Sequence, residues 1–130
     1  METINGKAGR GKLFWIGWVL SILPVLMLLF SATGKFLKPD GIEEGVKAIG
    51  WRMDQLTGLG IVELSSTILY LIPKTAVLGA ILLTAYMGGA VATHVRVSEP
   101  FYFQVLLGVL IWLGLWLRDA RLRDLLPLRN

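Results

Sequence analysis

Residues Leu13 to Thr33 read LFWIGWVLSILPVLMLLFSAT, an uninterrupted apolar block with no charged side chain. No other feature limits the possible folds so strongly. About 20 apolar residues in a helix cross the roughly 30 Å of hydrocarbon in a bilayer. Inside that layer backbone polar groups must bond within the protein, which leaves helices or closed barrels. Three further blocks follow. Leu56 to Ile72 is broken only by Glu63, Thr75 to Val95 is rich in small residues, and Phe101 to Leu117 is aliphatic and ends at Arg118. The chain is 55% hydrophobic and 17% charged, with a mean hydropathy of +0.65. Soluble domains average about 45–50% apolar and about 25% charged. The expectation is an all-α, polytopic membrane protein built as a four-transmembrane-helix bundle. It forms a single domain over residues 1–130, with spans at about 13–33, 56–72, 75–95 and 101–117.

The connections fit that division. Pro73-Lys74 predicts a tight turn between the second and third spans, because proline lacks the N–H that a continuing helix needs. Ser98-Glu99-Pro100 predicts a cap and first turn for the fourth. Between the first two spans, Asp40-Gly41-Ile42-Glu43 has capping-box spacing, which predicts a short interfacial helix from about Gly41 to Ile49, stopped by Gly50. Trp51 suits a segment lying along the membrane surface. The first block also resembles a signal peptide, but it is too long, and Phe30-Ser31-Ala32-Thr33 is a poor cleavage site.

Charge sets the expected orientation. One side collects Lys7, Arg10, Lys12, Lys74, Arg118, Arg121, Arg123 and Arg129, eight cations, and the other Lys35, Lys38, Lys47, Arg52 and Arg96, five. The excess places both termini on the cytoplasmic side of the cytoplasmic (inner) membrane. The net charge of +4 is then a basic rim beside the lipid headgroups, and no nucleic-acid partner is expected. Cysteine is absent, which excludes disulfides, thiolate nucleophiles and cysteine-ligated clusters. A single histidine assembles neither a zinc site nor bis-histidine haem ligation, so no metal is expected.

Glu63 is the strongest candidate for chemistry. It lies about eight residues into the second span, on the order of 12 Å deep, where an ionisable group costs roughly 2.5–3.5 kcal/mol. It is expected to face the helix interior and to be protonated or paired. Tyr86 falls at the same depth on the third span. Lys35 pairs with Glu63 if the first helix end is sunk, and His94 and Arg96 lie nearer the edge. With Ser31, Thr33 and Gln55 nearby, this predicts a polar pocket opening outward around Glu63. The candidate ligand-binding or proton-handling residues are therefore Glu63, Tyr86, His94 and Lys35. The inner half of the bundle is expected to be almost without polar groups. On the third span Ala76, Ala80, Thr84, Gly88 and Ala92 recur every four residues, with Ala85, Gly89 and Thr93 alongside. This small-residue row predicts close helix packing, with Gly58 and Gly60 as partners. Gly6 to Lys12 has P-loop spacing, but Leu13 stands where Ser or Thr is needed and no strand precedes it.

Ser31-Ala32-Thr33-Gly34-Lys35-Phe36, Gly60-Ile61-Val62-Glu63-Leu64 and the stretch from Pro73 through His94 resemble the DoxX-like family of small four-helix bacterial membrane proteins. The resemblance spans about Phe14 to Leu117, the third-span stretch being its most specific part. It implies Lys35, Glu63 and His94 as family-like polar positions. It also implies a place among subunits or partners of membrane oxidoreductase systems, including thiosulfate–quinone oxidation and thiol or oxidative-stress complexes.

Three functions stay open at this point. One is a binding or accessory subunit of a membrane oxidoreductase system, its outer pocket holding a quinone-like molecule. The second is a small transporter or exporter working as a homo-oligomer, motivated by the small-residue row and the intramembrane acid. The third is a structural or assembly protein in which Glu63 bonds helices together. The lipid bilayer is a partner in all three.

Overall fold

The computed structural model describes residues 4–129, with side-chain surroundings from Gly11 onward. The side chains of Lys7 and Arg10, used above to orient the chain, lie outside the described residues. All regular structure among them is helical. The order is α1 (Ile4–Leu37), α2 (Ile42–Ala48), α3 (Leu56–Leu71), α4 (Ala76–Arg96), α5 (Tyr102–Arg118) and α6 (Ala120–Leu125), with single 3₁₀ turns at Met53–Gln55 and Pro73–Thr75.

Two segments among the described residues, Gly11–Leu37 and Pro73–Arg96, are long and apolar enough to cross a membrane. α3 and α5 have 16 and 17 residues, and at 1.5 Å per residue each covers only about 24–26 Å. α1 packs on α5 and α3, α3 on α4, and α4 on α5, which closes a ring of antiparallel neighbours. α1 and α4 are therefore diagonal, as are α3 and α5. The interior is filled by Val25, Leu28, Tyr70, Ala80, Leu83, Ile111 and Leu115.

Polarity is distributed opposite to that of a water-soluble domain. Phe30 is 78% exposed and Leu26 57%, whereas Glu63 is 1% exposed and Ser21 and Thr67 are fully buried. Large apolar surfaces of this kind are avoided in water, while polar groups turned inward are what a hydrocarbon surrounding demands.

The turns follow the sequence in part. Gly50 stops α2 with φ of 86°, a left-handed conformation that glycine adopts without strain. The capping box expected at Asp40 does not form. Gly41 holds the N-cap position with φ of 87° and no side-chain bond, since a left-handed glycine takes the cap that Asp40 was expected to hold. A half-box appears later, where the Arg52 amide donates to Gln55 Oε1 at 2.8 Å. Ser98 does not cap α5 either. It sits at φ of 60°, its amide bonded to Val95 O at the end of α4, and α5 starts only after Phe101.

The small-residue row on α4 also departs from expectation. Ala76 and Ala80 are buried, but Thr84, Gly88, Gly89 and Ala92 are exposed. A Cβ added at Gly88 or Gly89 would meet nothing within 4 Å. Spacing of four aligns these residues on one face, but the neighbouring helices pack on the face carrying Gly79, Leu83 and Met87. Gly58 is likewise unopposed, and Gly60 packs on Lys35 and Phe36 of α1 instead of on α4. The close approaches lie elsewhere. At Gly17 a Cβ would sit 2.7 Å from Gly114 O and 2.8 Å from the Arg118 amide. Gly79 is pressed on the Tyr70 backbone, and Gly114 on Ser21 Oγ.

These contacts make a direct prediction. Gly17→Ala, measured by thermal unfolding in detergent, should cost about 1–3 kcal/mol through overpacking. Gly58→Ala should leave stability unchanged or slightly raise it.

Candidate functional site

The first buried polar centre joins α1 to α3. The end of α1 lies close against α3 because Gly60 has no side chain to hold Lys35 and Phe36 away. Lys35 Nζ therefore reaches Glu63 Oε1 at 3.1 Å, and it also donates to Ser31 Oγ at 2.6 Å, one turn back on its own helix. The pair is asymmetric in exposure, 18% for the lysine side chain and 2% for the glutamate. Tyr86 on α4 completes the centre from across the diagonal. Its hydroxyl flanks the Glu63 carboxylate, and Lys35 Nζ stands 5.9 Å from its ring centroid. A cation over an aromatic face is stabilised by the ring quadrupole. The ammonium thus meets a carboxylate, a hydroxyl and a π face, which together offset its desolvation.

His94 does not belong to this centre. Eight residues beyond Tyr86 on α4, it lies about 12 Å further along the axis. Its Nδ1 bonds Ala90 O at 2.7 Å, and its Nε2 is 3.5 Å from Gln104 Nε2 on α5. The expected outward pocket is also displaced. A groove of about 310 Å³ at that end is lined by Gly50, Trp51, Gln55, Ala92, Thr93 and Arg96, and by none of the four candidate residues. Glu63 lies about two turns along α3 beyond Gln55, where Lys35 meets it. The Thr33 hydroxyl, expected beside that pocket, bonds its own helix instead, donating to Leu29 O at 2.8 Å. Such i−4 bonds satisfy a hydroxyl without any partner helix.

The opposite end holds a second buried polar centre where few polar groups were expected. Tyr70 on α3 is fully buried. Its hydroxyl donates to Ile111 O of α5, 2.6 Å away, and is 3.0 Å from Ser21 Oγ of α1. Arg118 Nε donates to the same Ser21 oxygen at 3.1 Å, and Nη2 to Tyr70 O at 3.2 Å. The guanidinium lies 4.0 Å from the Trp18 ring centroid and 4.8 Å from that of Tyr70. α3 and α5 both end here, so Arg118 meets the partial negative charge of two helix C-termini. One signal for this centre was present in the sequence. Gly17 and Ser21, and Gly114 and Arg118, are spaced four apart, the same pattern that drew attention to α4. Arg118 read from sequence as the charge that ends the fourth span and as one of the cations that set orientation.

A family model described as the DoxX-like family matches residues 19–117, a stretch holding Lys35, Glu63, Tyr86 and, of the second centre, Ser21 and Tyr70, with Trp18 and Arg118 just beyond its ends. No curated protein and no solved structure matches the chain.

Two stability measurements probe these centres. Lys35→Met leaves the carboxylate buried without its cation and should lower stability by about 3 kcal/mol. The double variant Lys35→Met, Glu63→Gln should recover most of that loss. Tyr70→Phe deletes the hydroxyl that bridges three helices and should cost about 1–3 kcal/mol.

Proposed function

The chain belongs to the DoxX-like family, and on that premise we propose that this small membrane protein is a binding or accessory subunit of a membrane oxidoreductase system. In this reading α1, α3, α4 and α5 all cross the bilayer, with both termini in the cytoplasm, and the Lys35–Glu63 centre is the working part. The 3₁₀ turns at Met53–Gln55 and Pro73–Thr75 and the polar connections lengthen the short helices to the headgroup level.

The observation that carries the reading is the ion pair itself. An acid and an amine taken out of water cost more than apolar residues of similar volume would. Their retention in an otherwise apolar interior points to use, and Lys35 is the member with access to the outside. The ligand class that suits them is a quinone-like head group. Its carbonyl oxygens accept hydrogen bonds, and the centre holds three donors within one small volume: Lys35 Nζ, the Tyr86 hydroxyl and the Ser31 hydroxyl. A quinone supplies two-electron, two-proton chemistry when it is reduced. Glu63 would hold or release a proton beside it, and Lys35 would orient the nearer carbonyl. Room for the head requires the flexible lysine stem to swing toward the groove above, where Trp51 and Gln55 stand.

A second reading has its own support. Glu63 is 1% exposed, and Lys35 meets both it and Ser31, as a helix-to-helix clasp would require. Retention of a short-chain quinone by purified protein separates the two. The binding reading expects Glu63→Gln to lose roughly tenfold or more in retention, the equivalent of one charge-assisted hydrogen bond. Gly58→Ala should retain as wild type does. Equal retention in all three, with only the melting temperature of Glu63→Gln lowered, would favour the clasp.

A further inference from the structure

On the outer side of the α4–α5 pair runs a groove of about 680 Å³ that neither buried centre uses. Its walls are apolar, including Met87 and Val91 of α4 and Val105, Val109 and Trp116 of α5, with Gly88 and Gly108 at mid-length. A Cβ added at Gly108 would meet nothing within 4 Å, so the glycines leave a trough there and not a helix seam. From Gln104 to Trp116 the trough follows α5 for about 18 Å. That is close to the hydrocarbon depth of one leaflet, half of roughly 30 Å.

The end of the trough is built differently from its walls. The segment after α6 folds back so that Leu126 and Pro127 close it, held by Trp116 Nε1 donating to Leu126 O at 2.9 Å. Arg123 sits at this mouth, its guanidinium 5.9 Å from the Trp116 ring centroid. Nη1 donates to Trp116 O at 2.9 Å and to Leu117 O at 2.7 Å. Nε and Nη2 make no hydrogen bond, and Arg123 makes no ion pair, among the described residues. Arg121, two residues back on α6, has a side chain 92% exposed, its Nε 3.8 Å from Asp119 Oδ1.

We propose that this groove seats an anionic phospholipid, one acyl chain lying in the trough and the phosphate meeting Arg123. An apolar channel of leaflet depth ending at a guanidinium with unbonded N–H groups matches such a molecule in shape and charge. A basic side chain near a membrane surface adds about fivefold to the affinity for an anionic headgroup. A second copy of the chain suits the groove less well. Two copies inserted in the same direction would bring the same arginines to the same end, like charge against like.

Native mass spectrometry of the protein in a neutral detergent tests the proposal, with phosphatidylglycerol, phosphatidylcholine and inorganic phosphate as probes. The wild type should retain phosphatidylglycerol about fivefold better than phosphatidylcholine, and phosphate alone should leave no adduct. Gly108→Leu fills the trough and should weaken both lipids. Arg123→Gln should reduce phosphatidylglycerol to the phosphatidylcholine level. Should that variant fail to fold because its carbonyl bonds are lost, Arg121→Gln tests the same charge preference in part. Lys47→Gln, at the other end of the molecule, should change nothing. Equal retention of the two lipids, unaltered binding by Gly108→Leu, or a dimer forming in place of the lipid adduct would each overturn it.

Discussion

Polar groups inside a hydrocarbon-facing helix cluster have no water to turn to, so each must be answered by another part of the chain. In this protein that demand is met at two levels. Lys35 answers Glu63 across the α1–α3 contact, with Ser31 and Tyr86 around them. Toward the other end, Ser21, Tyr70 and Arg118 answer one another across α1, α3 and α5. Both sets need helices that approach closely, and glycine provides the approach beside each. Gly60 lies against Lys35 and Phe36, while Gly17 and Gly114 bring α1 and α5 together beside Ser21 and Arg118. Packing and polar pairing are thus parts of one arrangement. Without the hydrophobic effect between helices, association depends on both.

The two centres differ in what they are able to do. Arg118 is held by a hydroxyl, a backbone carbonyl and two aromatic rings. It fastens the ends of α3 and α5. Lys35 and Glu63 are an amine and an acid in direct contact, and the lysine is partly exposed. That contrast makes the α1–α3 pair the candidate for chemistry and leaves the Arg118 centre as architecture.

The membership of the DoxX-like family agrees with the inverted distribution of polarity. Apolar side chains such as Phe30 and Leu26 face outward while Glu63 and Ser21 face inward. The same outward surface explains why a row of small residues on α4 need not be a seam. Gly88 and Ala92 are exposed, and a Cβ added at Gly88 would meet nothing within 4 Å.

Much of this could be read from the residues alone. Apolar runs bounded by Pro73-Lys74 and by Gly50 marked where helices stop. A lone acid in such a run had to turn inward whatever its neighbours, because the cost of leaving it in hydrocarbon is local. Its level with Tyr86 followed from counting turns along antiparallel helices, whereas the pairing with Lys35 stayed conditional on where the end of α1 lies. Helix rotation could not be counted in that way. A spacing of four aligns residues on one face but does not say which face a neighbour takes, so the α4 row looked like a seam, and the same spacing at Gly17 and Ser21 passed unnoticed. His94 was grouped by depth with residues it does not face. The sequence by itself settled helical class, element order and the inward acid, since each rests on local composition. Only the tertiary structure decided which faces meet, because that depends on all the helices packing at once.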